Sequence, residues 1–348
     1  MPLRQPCVPA HDAGAQGLSR PSAAPALKPV PEPPRLAWDA AALQDRLSPL
    51  WPGLVVQVVA HCPSTNSELL ERARLQGEAL APTLLVAEAQ SAGRGRMGRI
   101  WHAQAGASLT FSLALDLAAA DWSGLSLAVG LALAEALDPQ PAGTDAAPQL
   151  GLKWPNDVWL CDAPNLGVNH GMNPGRKLAG ILIETRQAGA RRVAVIGIGL
   201  NILPQPQDGP SAGSACWQEL LSRQGLEPRP AGEQVSEQVS ERASAPAALA
   251  RVAAALLPAL RRFQAQGFAP LVPAFAARDV LRGQWVRSST AVEPPQVPPQ
   301  IQLQGRAEGV DAQGALCVRV AGQLQRLVSG EISVRLITPV AAPTTAPF

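Results

Sequence analysis

The most informative part of this chain is the nine-residue stretch Gly93-Arg94-Gly95-Arg96-Met97-Gly98-Arg99-Ile100-Trp101. It contains three glycines, three arginines and one tryptophan. Glycines let backbone N–H groups approach phosphate oxygens closely, arginines donate charge-assisted hydrogen bonds, and an indole offers a flat face to a base. The stretch therefore predicts a flexible loop that binds a nucleotide phosphate and is ordered by its ligand.

Two well-known phosphate loops share part of this glycine spacing. Gly93, Gly95 and Gly98 match the dinucleotide fingerprint G-x-G-x-x-G, but that motif opens a helix, whereas the strand-like run Ser108–Leu115 follows here. The Walker A spacing is also present, but Arg99-Ile100 stands where that motif has Lys and Ser/Thr. Both motifs are therefore disfavoured. On this segment alone, a solvated basic hairpin without a ligand remains an alternative.

Polar residues flank the loop on both sides. Upstream, Ser64-Thr65-Asn66 precedes a helical pattern, and Gln90 ends the buried strand pattern Thr83–Gln90 at the base of the loop. Downstream, Lys153-Trp154-Pro155-Asn156-Asp157 forms a proline-stiffened turn between two apolar stretches. Helix capping and turn chemistry are the ordinary explanations of these polar residues.

Two apolar strand patterns follow the turn. The first strand pattern is Lys177-Leu178-Ala179-Gly180-Ile181-Leu182. Its first residue, Lys177, is either a site residue or an ordinary lysine of an edge strand. The second, Gly197-Ile198-Gly199-Leu200-Asn201, has two glycines on one face. Glycines in a strand indicate close approach by a ligand or by another backbone.

In this order and combination, the segments closely resemble the biotin protein ligase family, also called biotin–[acetyl-CoA-carboxylase] ligases. The resemblance spans about residues 60–202. It implies an α+β fold, with a central mixed or antiparallel sheet flanked by helices and a small C-terminal SH3-like barrel. Members of the family join biotin to ATP, giving biotinyl-5′-AMP and pyrophosphate, and pass the biotinyl group to one lysine of a carrier domain. The implied ligands are biotin, ATP and Mg²⁺.

The resemblance also implies roles for individual residues, with no metal ligand among them. Catalytic roles fall to Lys177, Arg96, Asp157 and Lys153. The implied biotin-binding residues are Ser64, Thr65, Asn66, Gln90, Arg94, Gly95, Arg96, Lys177 and Gly180. The implied ATP- or adenylate-binding residues are Arg94, Arg96, Arg99, Trp101, Asn156, Lys177 and Asn201. Asp157 is a candidate base or orienter for the incoming lysine amine, Lys153 offsets its charge, and Trp101 either stacks on adenine or belongs to the core.

Composition narrows the class of protein further. The 348 residues allow about two domains, and 47% hydrophobic content suffices for a sizeable core. A net charge of +2 argues against a dedicated nucleic-acid surface. Five scattered cysteines without C-x-x-C pairs favour the reducing cytoplasm. The apolar run Leu125–Leu137 is short and contains Glu135, so it predicts a buried helix rather than a membrane span, and no signal peptide is evident.

Domain boundaries follow from changes in composition. Residues 1–35 are predicted to be a disordered tail, 36–281 the catalytic domain, 282–338 the SH3-like domain and 339–348 a second tail. Flexible insertions are predicted at about 138–149, 162–175 and 204–246. Helices are predicted at Ala40–Leu47, capped by Asp39, and at Leu249–Gln266, a first strand at Leu54–Val59, and four short strands after Arg282.

The expected partner is a biotin carboxyl carrier protein, that of acetyl-CoA carboxylase above all. Neither DNA nor a membrane is expected to bind, because only about 60 residues precede Ser64 and the N-terminal DNA-binding domain of some relatives is missing from them. A monomer and a homodimer remain open. A lipoate or octanoate ligase is the nearest alternative, and a biotin-sensing transcription regulator is the alternative from another class.

Overall fold

The computed structural model describes residues 36–119, 121–140, 147–162, 175–205, 213–226, 241–290, 301–328 and 332–337. They belong to one compact unit, residues 34–348. The predicted tails at 1–35 and 339–348, and parts of the three predicted insertions, lie outside the described residues.

Seven strands form the central sheet, in the order β1-β2-β3-β7-β6-β5-β4. Their bounds are β1 Val55–Cys62, β2 Thr83–Gln90, β3 Ser108–Asp116, β4 Leu150–Lys153, β5 Asp157–Cys161, β6 Gly175–Ala188 and β7 Arg191–Asn201. The β1–β2 pair is parallel and the other neighbours are antiparallel. The sheet is therefore mixed, as expected.

Helices cover both faces of this sheet. Their bounds are α1 Ala40–Leu47, α2 Thr65–Gln76, α3 Leu125–Leu137, α4 Trp217–Arg223, α5 Ala245–Gln266 and α6 Val272–Ala276. Because strand side chains alternate between faces, Leu84 and Val86 join the main core with α3 and α5, whereas Leu85 joins a smaller core with Leu69 of α2. The buried helix predicted at Leu125–Leu137 is present as α3, and the helix predicted at Leu249–Gln266 is present as α5 and begins four residues earlier, at Ala245.

Local capping explains where two helices begin. Asp39 accepts a hydrogen bond from the backbone N–H of Ala42 at 2.9 Å and caps α1, as predicted. Ser64 accepts from the backbone N–H of Ser67 at 3.4 Å and caps α2. The start of α2 therefore lies three residues earlier than the apolar pattern from Glu68 indicates.

The C-terminal region is a five-stranded antiparallel sheet in the order β11-β10-β9-β8-β12, consistent with the expected SH3-like domain. Its strands are β8 Trp285–Thr290, β9 Ile301–Val310, β10 Leu316–Val320, β11 Gln323–Leu327 and β12 Ile332–Leu336. The strand β11 was not predicted, because it is mostly polar and exposed and carries no alternating apolar pattern.

The third predicted insertion needs a correction. Within it, residues 217–223 form the helix α4 rather than a flexible loop, and Trp217, Leu220 and Leu221 are buried in the main core. The segment around this short apolar helix is rich in Pro, Gly, Ala and Gln, and for that reason the sequence pattern did not predict the helix. Among the described residues, no helix has the length and apolarity needed to cross a membrane.

Candidate active site

A cavity of about 150 Å³ lies where the glycine loop, β6, β7, the turn between β4 and β5, and β12 meet. All but one of the site residues predicted from the sequence line it, namely Ser64, Thr65, Asn66, Gln90, Arg94, Gly95, Arg96, Arg99, Trp101, Lys153, Asn156, Asp157, Lys177 and Gly180. The fold thus brings together residues that are more than 100 positions apart in the sequence.

The exception is Asn201. It lies at the end of β7, is 6% exposed, and donates to the carbonyl oxygen of Ala215 at 3.1 Å. Asn201 does not belong to the cavity lining, so the structure does not support its predicted contact with the nucleotide. In this position its side chain fastens the segment before α4 to the sheet.

The glycine loop is a hydrogen-bonded hairpin. Trp101 N donates to Gly93 O at 2.9 Å, and Gly95 N donates to Arg99 O at 2.7 Å. A Cβ atom at Gly93 would lie 2.2 Å from Trp101 O, so this position requires glycine. Met97 has a left-handed conformation, with φ 58° and ψ 40°, which a non-glycine residue adopts at some cost. Ordering of the loop by a ligand stays a prediction.

Ser64, Thr65, Asn66 and Gln90 line the part of the cavity next to Gly197, here named the uncharged end. The backbone N–H of Thr65 donates to Gln90 Oε1 at 2.7 Å, which joins the start of α2 to the base of the loop. Asn66 is 4% exposed, and its Nδ2 donates to Leu182 O at 3.2 Å and to Glu184 Oε2 at 2.9 Å. The side chain of Asn66 is thus held by protein groups, although the residue touches the cavity.

Lys153, Asp157 and Lys177 line another part of the cavity, near Gly180, here named the charged end. Lys177 Nζ lies 2.7 Å from Asp157 Oδ1, an ion pair at the cavity wall. Lys153 Nζ instead donates to Val334 O of β12 at 2.9 Å and lies 5.3 Å from the ring centroid of Trp159. Burial lowers the pKa of Lys153, and the charge of Asp157 partly offsets that effect. Asp157 therefore forms an ion pair with Lys177 and also interacts with the charge of Lys153.

The three loop arginines have different partners. Arg94 Nη2 donates to Glu184 Oε1 at 2.9 Å, on the catalytic sheet. Arg96 Nη1 donates to Asn156 Oδ1 at 3.1 Å, and Arg99 Nη2 donates to Ser333 Oγ of β12 at 3.4 Å. Burial lowers the pKa of Arg96. The guanidinium of Arg94 thus anchors the loop, whereas Arg96 and Arg99 lie towards the charged end and the C-terminal domain.

Glycines on β6 and β7 make room for two site residues. A Cβ atom at Gly199 would lie 2.3 Å from the Trp101 ring, and one at Gly197 would lie 2.2 Å from Asn66 Oδ1. Gly180, the register partner of Gly199, lies against the same indole. The sequence predicted close approach by a ligand or another backbone at Gly197 and Gly199, whereas the structure places the side chains of Asn66 and Trp101 there.

Several site residues were not predicted from the sequence. The C-terminal strand β12 contributes Ile332, Ser333 and Val334 to the lining. Behind the lining, Ser112 and Glu184 hold cavity residues by hydrogen bonds. In the sequence these are ordinary strand residues, and no local pattern distinguishes them.

The cavity thus combines uncharged polar groups with cationic groups in one site. Residues 58–201 match the Biotin/lipoate A/B protein ligase family, and residues 299–335 match the Biotin protein ligase C terminal domain. The second match coincides with most of the small C-terminal sheet.

Individual proteins that resemble this chain are also biotin protein ligases. A biotin–[acetyl-CoA-carboxylase] ligase from Paracoccus denitrificans is 32% identical over 286 residues, covering 79% of this chain and 98% of that protein. One from Mycobacterium tuberculosis is 38% identical over 174 residues, which is 49% of this chain and 58% of that protein. The structure of a biotin protein ligase from Aquifex aeolicus in complex with biotin and ATP shares the fold, with a TM-score of 0.57 and 22% identity, covering 81% of this chain and 99% of that one. The chain belongs to the biotin protein ligase family.

Proposed function

We propose that this protein activates biotin with ATP to biotinyl-5′-AMP and transfers the biotinyl group to a lysine of a biotin carboxyl carrier domain. The observation that carries the proposal is the two-ended cavity. Hydroxyl and amide groups of Ser64, Thr65 and Gln90 line one end, and cationic groups line the other, under a single glycine loop.

The uncharged end suits the ureido ring of biotin. That ring presents two N–H donors and one carbonyl acceptor, which hydroxyl, amide and backbone groups can match without a charge. The dithiolane ring of lipoate has no such donors, so these polar groups would be left unpaired against it. The geometry therefore favours biotin over lipoate or octanoate.

The charged end suits the activation step. In that step a carboxylate oxygen of biotin forms a bond to the α-phosphorus of ATP, and the bond from that phosphorus to the bridging oxygen of pyrophosphate breaks. Two anionic groups approach each other, so Arg96 and Lys177 are assigned to shield their charge and to stabilise the transition state. Asn156 holds the guanidinium of Arg96 for that role.

The donor set also fits a magnesium ion that enters with the nucleotide. Mg²⁺ is usually held by one or two carboxylates together with substrate phosphates and water. Asp157 is the carboxylate among the described lining residues, and its Oδ1 already lies 2.7 Å from a cation, Lys177 Nζ. When bound, Mg²⁺ would neutralise polyphosphate charge, and Asp157 would be its single protein ligand among the described lining residues, whereas the resemblance implied none.

The transfer step needs a nucleophilic lysine amine and an adenylate protected from water. Biotinyl-5′-AMP is a mixed anhydride, so the loop from Gly93 to Trp101 is assigned to cover it. Asp157 is assigned to orient the incoming amine or to accept its proton. The amine nitrogen then bonds to the biotinyl carbonyl carbon, and AMP leaves.

We place the reaction in the cytoplasm and assign the carrier domain of acetyl-CoA carboxylase as the partner. Cys62, Cys161, Cys216 and Cys317 are free thiols in the structure, as a reducing compartment maintains them. The C-terminal domain is assigned to close the charged end, because β12 provides Val334 O to Lys153.

Mass spectrometry of a carrier domain incubated with this protein, biotin and Mg-ATP tests the proposal. We expect one added biotinyl group on one carrier lysine, and none when ATP is left out or when that lysine is replaced by arginine. Pyrophosphate exchange into ATP with biotin or with lipoate separates the two ligase functions. Exchange driven by lipoate alone, or no biotinyl transfer, would overturn the proposal, and operator DNA retained at moderate salt would point to a regulator.

A further inference from the structure

Four side chains behind the uncharged end of the cavity form a continuous hydrogen-bonded chain, here named the polar relay: Glu184, Asn66, Ser112 and Thr65. Asn66 Nδ2 lies 2.9 Å from Glu184 Oε2, Asn66 Oδ1 lies 2.6 Å from Ser112 Oγ, and Ser112 Oγ lies 2.7 Å from Thr65 Oγ1. Thr65 lines the cavity, whereas Glu184 does not. The polar relay thus connects a carboxylate outside the lining to the hydroxyl of a residue that lines the cavity.

The orientation of Asn66 follows from its neighbours. Its amide nitrogen faces a carboxylate oxygen of Glu184 and the backbone carbonyl of Leu182, and both of these groups only accept hydrogen bonds. The nitrogen of Asn66 must therefore lie on that side. Its Oδ1, which only accepts, then faces Ser112.

The hydroxyl directions follow in turn. Ser112 has one hydroxyl hydrogen and must give it to Asn66 Oδ1, so its contact with Thr65 requires the hydrogen of Thr65. Ser112 is 0% exposed, so water does not offer another arrangement. Gln90 Oε1 accepts the backbone N–H of Thr65 at 2.7 Å and also lies 3.3 Å from Thr65 Oγ1, but the shorter contact of 2.7 Å with Ser112 requires the hydroxyl hydrogen of Thr65. The Thr65 hydroxyl is left with lone pairs, and no hydrogen, to present to a ligand.

Glu184 accepts hydrogen bonds from two donors at the same time. Its Oε2 accepts from Asn66 and its Oε1 accepts from Arg94 Nη2, each at 2.9 Å. A carboxylate has an acceptor oxygen for each donor, whereas a glutamine amide has only one. Glu184 therefore couples the anchored side of the glycine loop to the polarity of the cavity.

We propose that Glu184 is a positioning residue for biotin, which acts through Asn66 and Ser112 to fix the Thr65 hydroxyl as a hydrogen-bond acceptor. This inference rests on the proposed function and deepens it, because an acceptor fixed in this way selects a ring with an N–H donor. A cyclic urea satisfies it, whereas a ring with oxygen or sulfur at that position places two acceptors against each other. The polar relay thus determines part of the specificity without touching the ligand.

Titration calorimetry with biotin on the purified protein tests this inference. Glu184→Gln leaves either Asn66 or Arg94 facing an amide NH₂ group, and we expect it to weaken biotin binding by about 10-fold, the value of roughly one hydrogen bond. The matched control is Glu308→Gln, which also removes the charge from an arginine-bound carboxylate, that of the Arg319 pair on the C-terminal sheet. We expect the control to bind biotin like the wild type.

Two biotin analogues separate a positioning role from a structural one. In each, one ureido N–H is replaced by a ring oxygen, which gives the two cyclic carbamates. The wild type should bind one of them about 10-fold or more weakly than biotin, and Glu184→Gln should reduce that preference to within about 3-fold. If Glu184→Gln only disturbed the structure of the cavity, it would lose affinity for biotin and for both carbamates to the same extent.

A second pair of variants keeps the inference testable if Glu184→Gln does not fold. Ser112→Ala interrupts the polar relay and leaves the Thr65 hydroxyl with only the long contact of 3.3 Å to Gln90 Oε1, so it should reduce the same preference. In addition, Arg94→Met combined with Glu184→Gln should bind biotin no more weakly than Arg94→Met alone, because the glutamine oxygen can then turn to Asn66. An unchanged preference in Ser112→Ala, or biotin binding by Glu184→Gln equal to that of the wild type, overturns the inference, whereas no biotin binding by the wild type overturns the proposed function.

Discussion

The end of α3 meets the segment after α6 at Asp138, Arg278 and Asp279, a place here named the junction. The cavity and the junction both contain buried charged side chains, but the charges are paired differently in the two places. At the junction, Arg278 Nη1 lies 3.0 Å from Asp138 Oδ2, and both side chains are 5% exposed. Asp138 Oδ2 also accepts from Leu150 N at 3.0 Å. This pair is satisfied entirely within the protein.

The cavity has a surplus of positive charge instead. Five cationic side chains and one carboxylate stand among its described lining residues, and one of the five, Arg94, is paired with Glu184 behind the lining. Bringing like charges close together costs free energy, which a bound polyanion can offset. The difference supports the proposal that the Arg278–Asp138 pair serves stability, whereas the cations of the cavity serve the ligand. Substitutions at the two places should therefore separate unfolding from catalysis.

The largest effect is expected at the junction pair. Arg278→Met removes one partner and leaves the carboxylate of Asp138 buried, which should lower the free energy of unfolding by about 3–5 kcal/mol. Urea unfolding followed by circular dichroism measures this. The control Arg319→Met breaks an exposed pair and should leave the midpoint almost unchanged. Equal effects of the two substitutions would remove the distinction between a buried and an exposed pair.

The largest effect in the cavity is expected at Lys177. Replacing it by methionine removes a cation assigned to the transition state, so biotin-dependent pyrophosphate exchange should fall by about 10²–10³-fold. The free energy of unfolding should change much less than in Arg278→Met, because the Lys177–Asp157 pair is partly exposed. Arg186→Met, on an exposed part of the same strand, is the matched control and should keep the activity. A Lys177→Met protein that unfolds at lower urea but exchanges normally would reverse its assignment.

The unpaired carboxyl at the junction should make stability depend on pH. Burial raises the pKa of Asp279 to about 6, and its Oδ2 has no hydrogen-bond partner among the described residues. Because the folded-state pKa is raised, this group contributes stability below about pH 4, and the contribution is lost as pH rises through 6. Asp279→Asn should therefore be more stable than the wild type above pH 7, by on the order of 3 kcal/mol. Urea unfolding of both proteins from pH 4 to 8 measures this difference. A difference in the free energy of unfolding that does not change with pH would contradict the prediction.

The smallest of these effects is expected at Arg96. Arg96→Ala removes a cation from the charged end, where it also donates to Asn156, and should release the adenylate about 10–100-fold faster without unfolding the protein. Retention of biotinyl-5′-AMP in a chase experiment measures the rate. Unchanged exchange and an unchanged adenylate off-rate would show that Arg96 does not serve the phosphate.

Much of the local structure was predictable because it depends on near neighbours in the chain. The strand Thr83–Gln90 and the helix Ala40–Leu47 with its Asp39 cap have the predicted bounds. The strand β11 and the helix α4 were missed because one is too polar and the other lies among residues of biased composition. Local patterns also did not reveal the role of Arg94, whose guanidinium binds Glu184, 90 positions away.

The sequence alone was sufficient for the family, the fold class and most of the cavity residues, because glycine spacing, cationic clusters and turn residues are short-range features. Tertiary packing set the partners: Lys177 with Asp157, Lys153 with Val334 O, and Arg94 with Glu184. These pairs depend on which strands become neighbours and on how a C-terminal strand meets the catalytic sheet. No short segment encodes that arrangement, since it results from burying all of the apolar faces together.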